Sequence, residues 1–140
     1  MTRINLVDPS VLTDKHLLAE YRELPRIFTA VHKLDQKGQT NITIPDSYVL
    51  GTGHTKFFYD KLHWLWKRWT SLRGECVNNR RWGLDSELYL HYRDLVHVKI
   101  HERWYNDWTP KPEDVYLNMA RLARRSKIDK VLEELNGDND

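Results

Sequence analysis

Apolar residues recur at helical spacing in three stretches of this chain. From Leu17 through Tyr21, Leu24, Phe28 and Val31 to Leu34 they fall three or four positions apart, which predicts one helix from about Thr13 to Lys37. Thr13 suits its N-cap, Asp14 the first turn where the helix dipole favours a carboxylate, and Gly38 the stop. Pro25 lies inside the stripe and removes one backbone donor. Because the stripe continues on both sides, a kink is expected there rather than an end.

Residues 38–53 read as loop, with room for a short extended piece at 41–45. Gly51-Thr52-Gly53 then leads into a second helix, from about His54 to Asn79, with Phe58, Leu62, Leu65, Trp69, Leu72 and Cys76 as its stripe. Residues 80–109 show no clear period, and 86–100 fit either a helix or irregular chain. A third helix is predicted from near Thr109-Pro110, with Glu113 and Asp114 in its first turn and Asn136-Gly137 as its stop. Val115, Met119, Leu122, Ile128 and Leu132 could face a core. No repeat or low-complexity segment interrupts the pattern. The expected fold is all-α: a single compact domain over residues 1–140, with three main helices and long connecting loops.

Composition narrows the setting. A chain of 140 residues suits one core of normal size. With 30% charged residues and a mean hydropathy of −0.72 it reads as soluble. No apolar run approaches the roughly 18 residues of a membrane span, and the first residues lack the apolar core of a secretory signal. Cys76 stands alone, which excludes an intrachain disulfide and a cysteine-based zinc site. Together these point to a reducing, intracellular setting, and the expected location is the cytoplasm.

The net charge of +2 hides an asymmetry. Residues 131–140 hold Glu133, Glu134, Asp138 and Asp140 and no Lys or Arg, and read as an acidic end free to be flexible. Without those four acids, 22 basic residues face 16 acidic ones, a net of +6 over residues 1–130.

Several side chains could carry chemistry. Arg22 and Arg26 lie one helical turn apart with Glu23 between them, and Arg3 lies near the N-terminus. Two such guanidinium groups fit adjacent phosphates, but on spacing alone a solvated face with local ion pairs is the more ordinary reading. Arg121, Arg124, Arg125, Lys127 and Lys130 make the third helix basic, with Arg121 and Arg125 again one turn apart. This is a phosphate-tracking stripe or a plain soluble face. Thr2 is small enough for Met1 to be removed, exposing an α-amine. Such an amine has a pKa of about 7.7–8.0, lowered further by basic neighbours, so it is a better nucleophile than lysine; otherwise Met-Thr is only how the chain starts. Of His91, His97 and His101, the last two could share a helical face, but no acidic third ligand is well placed beside them, and the expectation is no metal site. Trp82 and the cluster Trp104–Trp108, beside basic residues, could stack on bases.

The strings Met1-Thr2-Arg3-Ile4-Asn5-Leu6 and His16-Leu17-Leu18-Ala19-Glu20-Tyr21-Arg22-Glu23-Leu24-Pro25-Arg26 resemble the pyrimidine-dimer DNA glycosylase family, which has bacteriophage, algal-virus and bacterial members. Gly53-His54-Thr55-Lys56-Phe57-Phe58-Tyr59-Asp60-Lys61 resembles its second signature, and Asp107-Trp108-Thr109-Pro110 with the basic helix its third. The resemblance implies an N-terminal segment threading between the helices. It also implies an enzyme with two activities, glycosylase and abasic-site lyase. The Thr2 amine would attack C1′ of a cyclobutane dimer's 5′ deoxyribose and form a Schiff base, and Glu23 would be the catalytic carboxylate. Arg3, Arg22, Arg26, Arg121 and Arg125 would bind DNA phosphates. Damaged double-stranded DNA would be the partner of a monomer that needs no cofactor. The acidic C-terminus departs from the family's aromatic, basic tail. Two other readings therefore stand beside this one: the same lyase chemistry on another lesion or on abasic sites, and a DNA-binding module without catalysis.

Overall fold

Thr13 opens the first α-helix as expected. Its Oγ1 accepts from the His16 amide at 3.2 Å and caps α1, Asp14–Glu23. The computed structural model describes residues 3–137, with the side chains of 126–133, 136 and 137 excepted. After α1 comes α2, Pro25–Gln36. Leu24, between them, keeps right-handed helical angles (φ −53, ψ −44), so the pair is the kinked helix that Pro25 predicts. Gly38 ends it at φ +68. Its amide donates to Asp35 O and the Gln39 amide to Leu34 O, a Schellman stop that favours glycine.

The helix expected from His54 to Asn79 is broken, which corrects that reading. A one-turn α3, His54–Phe57, is followed by turns at 58–61, and only then by α4, Leu62–Gly74, which runs into a π-helical turn, Glu75–Asn79. A residue far along the chain satisfies the break: Asn106 Nδ2 donates to Asp60 O at 2.8 Å, and Asn106 O accepts from the Trp64 amide at 3.4 Å. The stripe itself is right. Phe58, Leu62, Leu65, Trp69, Leu72 and Cys76 are all fully buried.

The segment that had no clear period is largely helical. It forms α5, Ser86–Asp94, then a π-helical turn, Leu95–Lys99, and a short 3₁₀ turn, Glu102–Trp104. α6, Pro112–Gly137, follows; Asp114 Oδ2 accepts from the Lys111 amide at 3.0 Å at its start. The chain is all-helical, without a strand among the described residues, but it has about five helices rather than three.

The chain falls into two units, residues 1–109 and 110–140. In the first, Trp69 stacks on Tyr21 with ring centroids 5.5 Å apart and donates Nε1–H to Tyr21 O at 3.0 Å, joining α4 to α1. Phe28 packs edge-on against the same indole and brings in α2. The second unit is α6. Met119, expected to face a core, is 54% exposed there. The side chains of Ile128 and Leu132 lie outside the described residues, as do residues 138–140 of the acidic end. No described helix is long and apolar enough to cross a membrane.

Candidate active site

The kink between α1 and α2 presents three of the singled-out residues together. Arg22 and Glu23 occupy the last turn of α1, and Arg26 the first turn of α2. Pro25 stands at the position where a helix has no use for an N–H, so the chain can turn there without stranding a donor. Arg22 is exposed, Arg26 has 67% of its side chain exposed, and Glu23 is partly sheltered at 25%. Arg26 Nη1 lies 3.9 Å from Glu23 Oε1, the outer limit of an ion pair.

Glu20, one turn earlier on α1, is in different surroundings. It is 2% exposed and faces Arg68 of α4, itself 8% exposed. Arg68 Nε donates to Oε2 at 2.7 Å and Nη2 to Oε1 at 3.0 Å, a bidentate pair. Asn5 Nδ2 donates to the same Oε1 at 2.8 Å, and Arg68 Nη1 donates to Val7 O. One residue before Asn5 the chain is held again. The Ile4 amide donates to His54 Nε2 at 2.8 Å, and the Tyr48 hydroxyl donates to Ile4 O at 3.2 Å. His54 Nδ1 lies 2.7 Å from Val49 O, which can only accept, so the proton is on Nδ1 and Nε2 is free to accept.

This network was missed in the sequence, although a signal was present. Glu20 falls between Leu17 and Leu24 on the first apolar stripe, and Arg68 between Leu65 and Leu72 on the second. A charge of each sign on two faces that must pack together calls for a partner.

Of the residues singled out, Glu23 and Arg26 are brought within ion-pair distance and Arg22 shares their turn. Arg3 is half-buried, and its Nη1 is buried without a hydrogen-bond partner. Thr2 lies outside the described residues. Arg121 (half-buried) and Arg125 (exposed) lie one turn apart on α6, with Arg124 exposed beside them; the side chains of Lys127 and Lys130 lie outside the described residues.

Of the three loop tryptophans, Trp104 is buried, whereas Trp108 and Trp82 are half-buried. Trp104 is 3% exposed and donates Nε1–H to Asp35 at 3.1 Å. Trp108 packs among Tyr48, Phe57, Phe58 and Trp64 at centroid distances of 5.0–6.2 Å. Trp82 is half-buried, with the Arg80 guanidinium 5.8 Å from its ring centroid. His97 and His101 do not share a helix face, because Ile100 between them is extended. His97 contacts Arg93 O and the Tyr105 hydroxyl, and His101 Nδ1 accepts from Arg103. No group of three or more His, Cys, Asp or Glu among the described residues could hold a metal ion. Cys76 is buried, and burial pushes its thiol above the usual range, away from nucleophilic use.

A family model described as pyrimidine dimer DNA glycosylase matches residues 1–90. The match takes in Arg3, Glu20 and Glu23 of α1, the kink and Arg68, and leaves out α6 with Arg121 and Arg125. Spanning well over half of the sequence and every element that builds the kink site, it establishes that the chain belongs to the pyrimidine dimer DNA glycosylase family and is a DNA-repair glycosylase acting on damaged DNA.

Proposed function

We propose that this glycosylase excises cyclobutane pyrimidine dimers and then nicks the abasic product, with the α-amine of Thr2 as nucleophile once Met1 is removed. The amine attacks C1′ of the 5′ deoxyribose, forming a C–N bond while the glycosidic bond breaks and its electron pair leaves with the base. Opening of the C1′–O4′ bond gives an iminium, the protonated Schiff base. Loss of a C2′ proton then expels the 3′ phosphate by β-elimination, and water releases the amine.

Glu23 supplies negative charge beside the cationic C1′ and assists the proton transfers. Arg3, Arg22 and Arg26 hold phosphates on the kink side, and Arg121 and Arg125 form a further pair on α6. The observation that carries this reading is the anchoring of Asn5 on Glu20. Glu23 lies one turn further along the same side of α1, about 5–6 Å on. Asn5, three residues from Thr2 in sequence, and the carboxylate thereby share one neighbourhood. Arg3 adds support, since a buried guanidinium N–H without a partner suits an anion.

Borohydride reduction of the imine should trap a covalent adduct with dimer-containing duplex DNA, on the Thr2 peptide, and blocking the Thr2 amine should abolish it. An adduct on a lysine would sink the assignment. A panel of lesion duplexes reads the preference, and salt-sensitive binding with no adduct on any of them would leave a binding module.

A further inference from the structure

Residues 3–7 form no helix or strand, yet Ile4 and Asn5 are 0% and 3% exposed. Buried irregular backbone must find its hydrogen-bond partners one at a time. Here they come from four places in the fold. His54 of α3 takes the Ile4 amide, Tyr48 of the preceding loop meets the Ile4 carbonyl, Glu20 of α1 takes the Asn5 side chain, and Arg68 of α4 reaches the Val7 carbonyl. Arg68 is the hub, because the same guanidinium holds both oxygens of Glu20.

We propose that Arg68, working through Glu20 and Asn5, is a positioning residue that sets where the terminal amine emerges. This rests on the reading of Thr2 as nucleophile. Two charges buried at 8% and 2% exposure are a poor way to hold a core together, because their desolvation consumes most of their attraction and an apolar pair of the same volume would serve as well. They are a good way to fix direction. A guanidinium is a rigid planar fork of five donors, so one side chain sets α4, α1 and residue 7 at defined angles to one another, as neither Lys nor Leu could. From the Ile4 amide, covalent geometry alone keeps the Thr2 nitrogen within about 7 Å. Any slack at residues 4–7 therefore passes to the amine, which must come within about 3–3.5 Å of C1′ along the attack direction.

The test uses the full chain with Met1 removed, as wild type, Arg68→Lys and Asn5→Ala. Each is followed by single-turnover borohydride trapping on a duplex with one cyclobutane dimer, across pH, and by binding to a duplex carrying a tetrahydrofuran abasic analogue, which cannot form an imine. Trapping should slow about 100-fold in Arg68→Lys and about tenfold in Asn5→Ala. The pH midpoint and the affinity for the analogue should stay at wild-type values. Asn5→Ala leaves the Glu20–Arg68 pair intact and carries the test alone if Arg68→Lys does not fold. Variants that melt earlier but trap at the wild-type rate per folded molecule would show a purely structural role and overturn the proposal, with the Thr2 reading untouched. A wild-type adduct on another residue, or none, would remove the Thr2 reading and this inference with it.

Discussion

Glu20 and Glu23 are the same side chain, one turn apart on the same helix, in opposite circumstances. Glu20 is buried and receives three donors: Asn5 Nδ2, Arg68 Nε and Arg68 Nη2. Glu23 is partly open, and Arg26 approaches it only to 3.9 Å. A buried carboxylate with three fixed donors has little left to offer a substrate. One whose neighbours are distant can take up a charge that develops only during reaction, and only such late interactions accelerate chemistry. The contrast separates a carboxylate committed to holding the chain from one left uncommitted.

The strongest way to break this contrast is Glu20→Ala. It strands the Arg68 guanidinium in the core, and loss of one partner of a buried pair costs about 3–5 kcal/mol. Urea unfolding should show a loss of that size, and one below about 1 kcal/mol would mean that water reaches the pair. Glu23→Gln should do the reverse. Its stability should stay within about 0.5 kcal/mol of wild type, as for exposed positions generally. Its glycosylase rate should fall about 100-fold or more while dimer-containing DNA still binds, and unchanged turnover would refute the catalytic role of Glu23.

How far the sequence carries this contrast depends on what kind of signal each part leaves. Helices whose apolar positions share one face are legible, and the stripes through Tyr21 and Trp69 are buried as their spacing requires, with half-buried Leu34 as the exception. The interruption between α3 and α4 is not, since no Pro or Gly stands between Gly53 and Gly74 and the turn is held by Asn106 from the far side of the sequence. The same applies to Trp104: its loop position and basic neighbours suggested exposure, whereas its partner Asp35 is 69 residues away. Arg22, Glu23 and Arg26 stood out because they are adjacent on one helix. The Glu20–Arg68 pair spans 48 residues, and only the misfit of each charge with its own stripe hinted at it.

The arginines extend the comparison. Arg22 and Arg26 are exposed and free to meet phosphate, whereas all three Arg68 nitrogens are engaged inside. Arg22→Ala and Arg26→Ala should each leave folding within about 0.5 kcal/mol of wild type. Each should reduce the slope of log affinity against log salt by about 0.9 for every phosphate the variant no longer neutralises. A salt slope unchanged in both variants would move the DNA face away from the kink.

The smallest expected effect is the most discriminating about Glu23 itself. At 3.9 Å and three residues apart on the surface, Arg26 and Glu23 should couple by only about 0.3 kcal/mol, fading as salt is added. A double-mutant cycle of Glu23→Gln and Arg26→Met, followed by thermal unfolding at low and high salt, measures this term. Weak coupling means that the carboxylate is uncommitted in the free enzyme, and Arg26→Met should then lower activity only through weaker DNA binding. Coupling above about 1 kcal/mol would mean that Arg26 already occupies the carboxylate. DNA would then have to draw Arg26 away before Glu23 could act, and removing Arg26 should raise the single-turnover rate. The sign of the Arg26→Met effect at saturating DNA thus decides whether the two residues act side by side or in opposition.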